Sequence, residues 1–550
     1  MMRKAKTFLC LVMLVAIPVS GQVTMGAAKS PEKFSVLELI SNNTHGLRLP
    51  QLTVDQRNAI SDKYGSKPEM MGLTIFNTEN KCVEVWNGTV WISKCAPPTN
   101  VCFDTSTKGT DFWISFGYNL NRINDIVAQV LLALKISAEE ATDVTLNFTS
   151  VNQSTTYNIG DNSLTTIDLK DVQGLGDMFD AVYLNDLTGV QNKTLHITSS
   201  KPISVYAFST SSATTDATIV LPVADWGKEY YKLSYQPANS YSDYEIIISN
   251  ESGTVITPPS GPTIALDAGQ EYVYASVSDL TGRHVTSNKP IAYFSHSMQL
   301  NVPNARNFAD ILLEQMMPVN RWGKQFLVPN APEGTNNMNN HIRIIASEDG
   351  TMVNYWGATS FDVTNGQTGF TSGSMLNAGQ WVELEISGAN TAACYISADK
   401  PIGVAAYMVG CGIPFVLGDP SIAWIPPLNQ SILSSIISPF MFPIGVPNDN
   451  TNFDGLNINT TVIHYMIIIT KTDRKEQTSV NGAAISSAGW IDNQESGYSY
   501  YYWYFDNTAD LDNIFNVKNP DNGVIVLCGG VAEAESYYYN AGSGACIINW

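Results

Sequence analysis

Six histidines and fifty aspartates and glutamates make up the acid–base inventory of this 550-residue chain, and they do not form a catalytic set. His45, His196, His284, His296, His341 and His464 fall one to a segment, with no His-Glu-x-x-His pair to hold zinc on a helix face. There is no Gly-x-Ser-x-Gly elbow, no Gly-x-x-x-x-Gly-Lys phosphate loop and no Gly-x-Gly-x-x-Gly after a strand. A glycosidase needs only two facing carboxylates, so glycoside hydrolysis is the enzymatic reading left open. The expectation is a chain with no catalytic residue, no cofactor and no metal.

Three aspartates stand out by recurrence: Asp216, Asp310 and Asp419. One reading has each accepting backbone N–H bonds in the loop before its strand, as aspartate does in turns. The other makes each a calcium ligand, but a hard cation takes six to eight oxygens and no acidic cluster surrounds any of the three in sequence. The tyrosines are the second notable set. Tyr498 to Tyr504 and the Gly-flanked tail Tyr537, Tyr538 and Tyr539 place large amphipathic rings where a core strand would use valine and isoleucine. Exposed, they suit glycan or protein binding; the competing reading is that they seal the last sheet. Trp226 and Trp322 read as core anchors rather than a sugar platform.

These residues sit in a repeated frame. Ser200-Lys201-Pro202 reads as a turn opening the apolar strand Ile203 to Phe208, then come Asp216, a second strand Ala217 to Leu221, Pro222, and Trp226-Gly227-Lys228. Lys289-Pro290-Ile291 leads likewise to Asp310, Pro318 and Trp322-Gly323-Lys324, and Lys400-Pro401-Ile402 leads to Asp419 and Pro426. The three prolines are 88 and 111 residues apart, a period close to a small β-domain. A degenerate fourth copy runs from Ile463 to Thr470 and ends at Gly523 to Cys528. Equivalence of the copies predicts that Ile203, Ile291 and Ile402 share one buried strand position.

The fold class expected is all-β. About four tandem antiparallel sandwich-like or blade-like modules, in a row or a ring, span residues 101–235, 236–335, 336–455 and 456–550. Residues 1–22 read as a signal peptide, with Arg3, Lys4 and Lys6 ahead of an apolar run too short to span a membrane. Its removal moves the formal charge from −20 to −23, a surface that repels nucleic acid and anionic lipid. Secretion makes disulfides plausible. Cys394 with Cys411 and Cys528 with Cys546 are the natural pairs, and Cys82, Cys95 and Cys102 leave one odd thiol, with Cys82 and Cys95 the candidates. Zinc is disfavoured by the lack of Cys-x-x-Cys and of nearby histidines.

Residues 23–100 form a separate small α+β module. Gly46 to Thr53, the short helix Asp55 to Ile60 with Thr53 as its cap, and a hairpin turning at Asn87-Gly88 are its marks. The pattern resembles an N-terminal module of secreted proteins from Bacteroidetes-type bacteria.

Beyond it, Gly109-Thr110-Asp111-Phe112-Trp113, Lys201 to Ala207, the Asp216 to Pro222 run and Glu535-Ser536-Tyr537 to Gly542 together resemble the N-terminal domain of IgGFc-binding protein and its bacterial relatives, over roughly residues 103–550. The resemblance implies a secreted or cell-surface, non-enzymatic adhesion protein that recognises an extracellular glycoprotein or glycan, without nucleic-acid binding or a transmembrane segment. A carbohydrate-active enzyme or its binding appendage, and a structural surface component, are the alternatives.

Overall fold

Lys201 and Pro202 do not open a strand; they lie inside one. In the computed structural model Leu195–Ser211 is a single 17-residue strand, repeated as His284–Leu300 and Ala393–Met408. Proline has no N–H to give a ladder, and the register against Gly109–Ile114 shifts between Thr198 and Ile203. The expected turn is therefore a bulge, and the strand changes neighbours across it. Its first half pairs with Thr142–Phe148 and Gly109–Ile114, its second half with Leu131–Ala138 and Thr214–Val220. The other two long strands repeat this plan with their own four partners. In the fourth copy the strand is broken into Phe515–Lys518 and Ile525–Ala532, with Asn519 to Gly523 in place of the bulge.

The structure describes residues 23–25, 37–39, 49–64, 67–79, 82–87, 91–93, 102–119, 122–123, 126–127, 130–185, 187–211, 214–238, 241–303, 309–332, 339–363, 366–388, 391–410, 418–440, 463–505, 513–532 and 535–546. The proposed signal peptide and His45 fall outside them. The chain divides into two units, Met1–Thr99 and Asn100–Trp550. In the first, the helix Val54–Tyr64 starts with a reciprocal cap in which Gln56 N–H donates to Thr53 Oγ1 and Thr53 N–H to Gln56 Oε1. The strands Cys82–Trp86 and Trp91–Ser93 pair with Trp86 opposite Trp91, so their connection is longer than the two-residue turn expected at Asn87-Gly88. Among the described residues no helix is long and apolar enough to cross a membrane.

Equivalence of the repeats holds at the isoleucines. Ile203, Ile291 and Ile402 are all buried, and each is the register partner of a glycine: Gly109, Gly227 and Gly323. A Cβ on those glycines would lie 2.3, 2.3 and 2.2 Å from the Cβ of Pro222, Pro318 and Pro427. The glycine is thus required by close approach, and the proline that ends each inner strand sets that approach. Trp226 and Trp322 are buried anchors whose indole N–H groups donate to Leu221 and Met317 carbonyls.

The four copies close into a ring. The inner strands Thr214–Val220, Asp310–Gln315, Ser421–Trp424 and Glu535–Asn540 are linked in that cyclic order by side chains. Asp216 accepts from Leu313 N–H, Glu314 from Trp424 N–H, Ser536 Oγ from Asp419 N–H, and Glu535 bonds Thr215 Oγ1 to return to the first copy. The ends of this unit are zipped together as well, because Cys102–Ser106 pairs antiparallel with Gly544–Cys546.

That zipper corrects the cysteine expectations. Cys394 and Cys528 are buried free thiols, so the bridges expected there are not formed, and Cys82 is buried. Burial pushes the Cys528 thiol up to about 12. Cys95 and Cys411 lie outside the described residues. Cys546 is the register partner of Cys102, while Cys528 sits mid-strand opposite Tyr539. Sequence separation suggested the nearer cysteine; ring closure brings the far one. Peptide mapping under non-reducing conditions is expected to find any bridge of Cys546 at Cys102, and a Cys528–Cys546 peptide would contradict this register.

Candidate functional site

The tail tyrosines are not a surface. Glu535–Asn540 is an inner strand, covered on both faces by neighbouring copies, and Tyr537, Tyr538 and Tyr539 are at most 1% exposed. Tyr537 OH accepts from Phe440 N–H, and the Tyr539 ring lies 5.4 Å from Tyr206 and 5.7 Å from Phe440. The expectation of an exposed aromatic tail is corrected: an inner strand must fill space on two sides, and the largest side chains do so.

The other tyrosine run does reach solvent. In Tyr498–Tyr504 alternate residues share one face, so Tyr498, Tyr500, Tyr502 and Tyr504 form a ladder. Its buried end is tied to the third copy, with Tyr500 OH donating to Thr391 O and Tyr502 OH to Asn330 O. Its far end is open: Tyr504 is 56% exposed and its ring is 6.5 Å from Tyr502. The third copy carries a second exposed ring. Trp356, 40% exposed, stacks on its register partner Tyr395 at 5.3 Å and 21°. Met352 and Met375, opposite each other on the neighbouring ladder, are exposed too. Burial raises the phenols of Tyr395 and Tyr504 and holds Tyr500 up to about 12, so the ladder stays uncharged at neutral pH. Uncharged rings with hydroxyls offer stacking area and hydrogen bonds together.

The imidazoles are the remaining groups suited to active-site chemistry. Two of them repeat a device that sequence did not disclose. His196 stacks on Trp113 at 3.8 Å and bonds Asp111 at 2.9 Å; His284 stacks on Tyr231 at 4.3 Å and bonds Glu229 at 3.0 Å. The signal was the spacing Asp-x-Trp and Glu-x-Tyr on the strands Gly109–Ile114 and Gly227–Tyr231 that enter the first two copies. Among the described residues neither imidazole is bonded to a Ser, Thr or Cys, so no nucleophile accompanies the pair. Burial lowers His296 to about 4, and His464 also, which leaves both neutral inside the fold. Among the described residues no three His, Cys, Asp or Glu side chains are placed to hold a metal ion. The recurrent aspartates follow their turn reading in part: Asp216 and Asp310 each accept the N–H of the next residue.

The model of the IgGFc binding protein family matches residues 216–527, more than half of the chain, starting at the aspartate of the first inner strand. The chain belongs to the IgGFc-binding protein family. This is a binding family, and the all-β repeated architecture agrees with the resemblance read from sequence. The N-terminal likeness is revised, since residues 24–110 match a phage tail like trimerisation region. No curated protein matches the chain at a significant level.

Proposed function

We propose that this chain is a secreted or cell-surface, non-enzymatic binding protein that recognises a host or matrix glycoprotein through the aromatic seam of its third and fourth copies. The observation that carries the reading is the pair of solvent-facing rings, Trp356 and Tyr504, in a member of a binding family. Rings of this kind give contact area at low entropy cost because two χ angles fix them. The acidic surface disfavours nucleic acid and anionic membranes as partners. Non-enzymatic action is supported by imidazoles that are either neutral in the core or paired with a carboxylate without a nucleophile.

The test is a screen of the purified chain against immobilised mucin, immunoglobulin and a glycan array. Salt-tolerant retention on a glycoprotein or glycan is the expected result. Release of free sugar from any of these supports would overturn the reading in favour of a carbohydrate-active enzyme, and absence of retention throughout would overturn it altogether.

A further inference from the structure

Ring closure brings four acids to one end of the inner strands. Asp216, Asp310, Asp419 and Glu535 stand at or beside the starts of those strands, each from a different copy, and all are buried. Glu314, further along the second inner strand, is their neighbour. Its Oε1 accepts from Trp424 N–H at 2.9 Å and its Oε2 from Thr218 Oγ1 at 2.8 Å, so it touches the first and third copies at once. Asp310 Oδ1 accepts from Thr215 N–H at 2.6 Å and Ile311 N–H at 2.7 Å.

Two oxygens of this group have nothing to accept from. Asp310 Oδ2 and Asp419 Oδ1 are fully enclosed and lack any hydrogen-bond partner. The groups that act on Asp310 are Asp419, Glu535 and Asp216, all acids; Asp419 acts on Glu535, and Glu314 on Asp216. Among the described residues, no lysine, arginine or histidine is among the main charges acting on these five carboxyls. An isolated buried carboxylate costs several kcal/mol, and neighbouring negative charges add to that cost. With no cation and no three side chains set for a metal among the described residues, the compensation available is a proton, which also turns an unpartnered oxygen into a donor.

We propose that the ring closes around protonated carboxylic acids, one from each copy, so that ionisation of Asp310 and Asp419 in mildly alkaline medium loosens the contact between all four copies. The device is a pH-limited clasp built from one acid per repeat. It explains why an acid recurs at this point in every copy, including Glu535 in the degenerate fourth, when a single turn aspartate would serve each loop separately.

The sign follows from proton counting. Burial holds Asp419 and Glu314 near 8 and pushes Asp216, Asp310 and Glu535 up as well, whereas unfolded carboxyls titrate near about 4. The folded state therefore carries more protons, and stability falls as pH rises through the folded values. His296 and His464, lowered to about 4, act oppositely, but only below the ordinary imidazole value of about 6.5. Above about pH 6.5 these imidazoles drop out, and the buried thiols Cys394 and Cys528, pushed up by burial, add to the fall only as pH nears the ordinary thiol value of about 8.5, a contribution common to wild type and variant. Glu271, near 7 and outside the cluster, adds to the slope and is removed by Glu271→Gln in the background.

Thermal unfolding of the full chain at constant ionic strength, between about pH 6.5 and pH 8.5, reads the clasp. The melting temperature is expected to fall across this window, and Asp310→Asn with Asp419→Asn is expected to flatten the fall, because an amide mimics the neutral acid. Parallel slopes in the two proteins, or a wild-type melting temperature that rises, would overturn the proposal. Should the double variant fail to fold, the Glu271→Gln protein unfolded by denaturant in weakly buffered solution at pH 7.5 decides. Net proton release supports the clasp, and no release or net uptake refutes it.

Discussion

Arg343→Ala is expected to destabilise the repeated unit by about 3–5 kcal/mol, the loss typical of one partner removed from a buried ion pair. Arg343 is 2% exposed and joins two copies. Its Nε donates to Glu383 at 2.8 Å in the third copy, and its Nη1 to Asp279 and the Ser234 carbonyl, both at 2.7 Å, in the second. The guanidinium also lies 3.9 Å from the Tyr235 ring and 4.3 Å from that of Trp381. Burial pushes Glu383 up, but the charge of Arg343, together with His341 and the Tyr235 hydroxyl, outweighs it and holds this carboxyl below its ordinary range. Without the cation, Asp279 loses its ion pair and Glu383 keeps only His341, at 2.6 Å, and the Tyr235 hydroxyl. Arg343→Lys is expected to recover part of the loss only, since a point-like ammonium cannot serve this set of acceptors from one plane. Denaturant midpoints compared at pH 7 check both, and an alanine variant as stable as wild type would refute the network's role.

Gly227→Ala and Gly323→Ala are expected to cost about 1–3 kcal/mol each, and more where the backbone cannot yield. The added Cβ would meet a proline ring at 2.3 Å and 2.2 Å, and a ring does not swing aside as a long side chain does. Neither glycine has positive φ, so the loss would be packing and not backbone strain. Gly160→Ala is the control, because its nearest atom is Ser163 Oγ at 3.5 Å. A near-neutral Gly323→Ala would mean that the approach of strand to proline is looser than the repeat geometry requires.

Much of the frame was legible because it is local. Lys-Pro-Ile, the following aspartate, the closing proline and Trp-Gly-Lys recur in order, and each marks a position that one strand and its neighbour define. The buried isoleucines, the anchoring tryptophans and the capped helix at Thr53 follow from such short-range signals. What was hidden depends on closure of the ring. Proline within a 17-residue strand reads as a strand start until both halves are seen to serve different neighbours. Tyr537 to Tyr539 read as exposed because an inner strand, covered on both sides, has no alternating polar face to reveal it. Asp216, Asp310 and Asp419 recur visibly, but that they meet each other and Glu535 depends on contacts across 94 to 319 residues of chain. The cysteine pairing failed for the same reason, since Cys102 and Cys546 are neighbours through the closure of the unit and not through sequence.

The seam is also where the sequence was half right. From sequence, Tyr498 to Tyr504 and the tail are equally suited to an exposed surface or a sealed sheet; of the first run only the last residue is open, and Trp356 carries no sequence signal beyond its type. Affinity for the glycoprotein found in the screen, measured for wild type, Trp356→Ala, Tyr504→Ala and Tyr538→Ala alongside melting temperature, tests the central claim most directly. The two seam variants are expected to lose roughly thirtyfold in affinity, a hot-spot loss of about 2 kcal/mol, with melting temperatures unchanged. Tyr538→Ala, truncating a ring that is 0% exposed, is expected to lower the melting temperature through a core loss of about 3–5 kcal/mol. Seam variants that bind as wild type does would contradict the account.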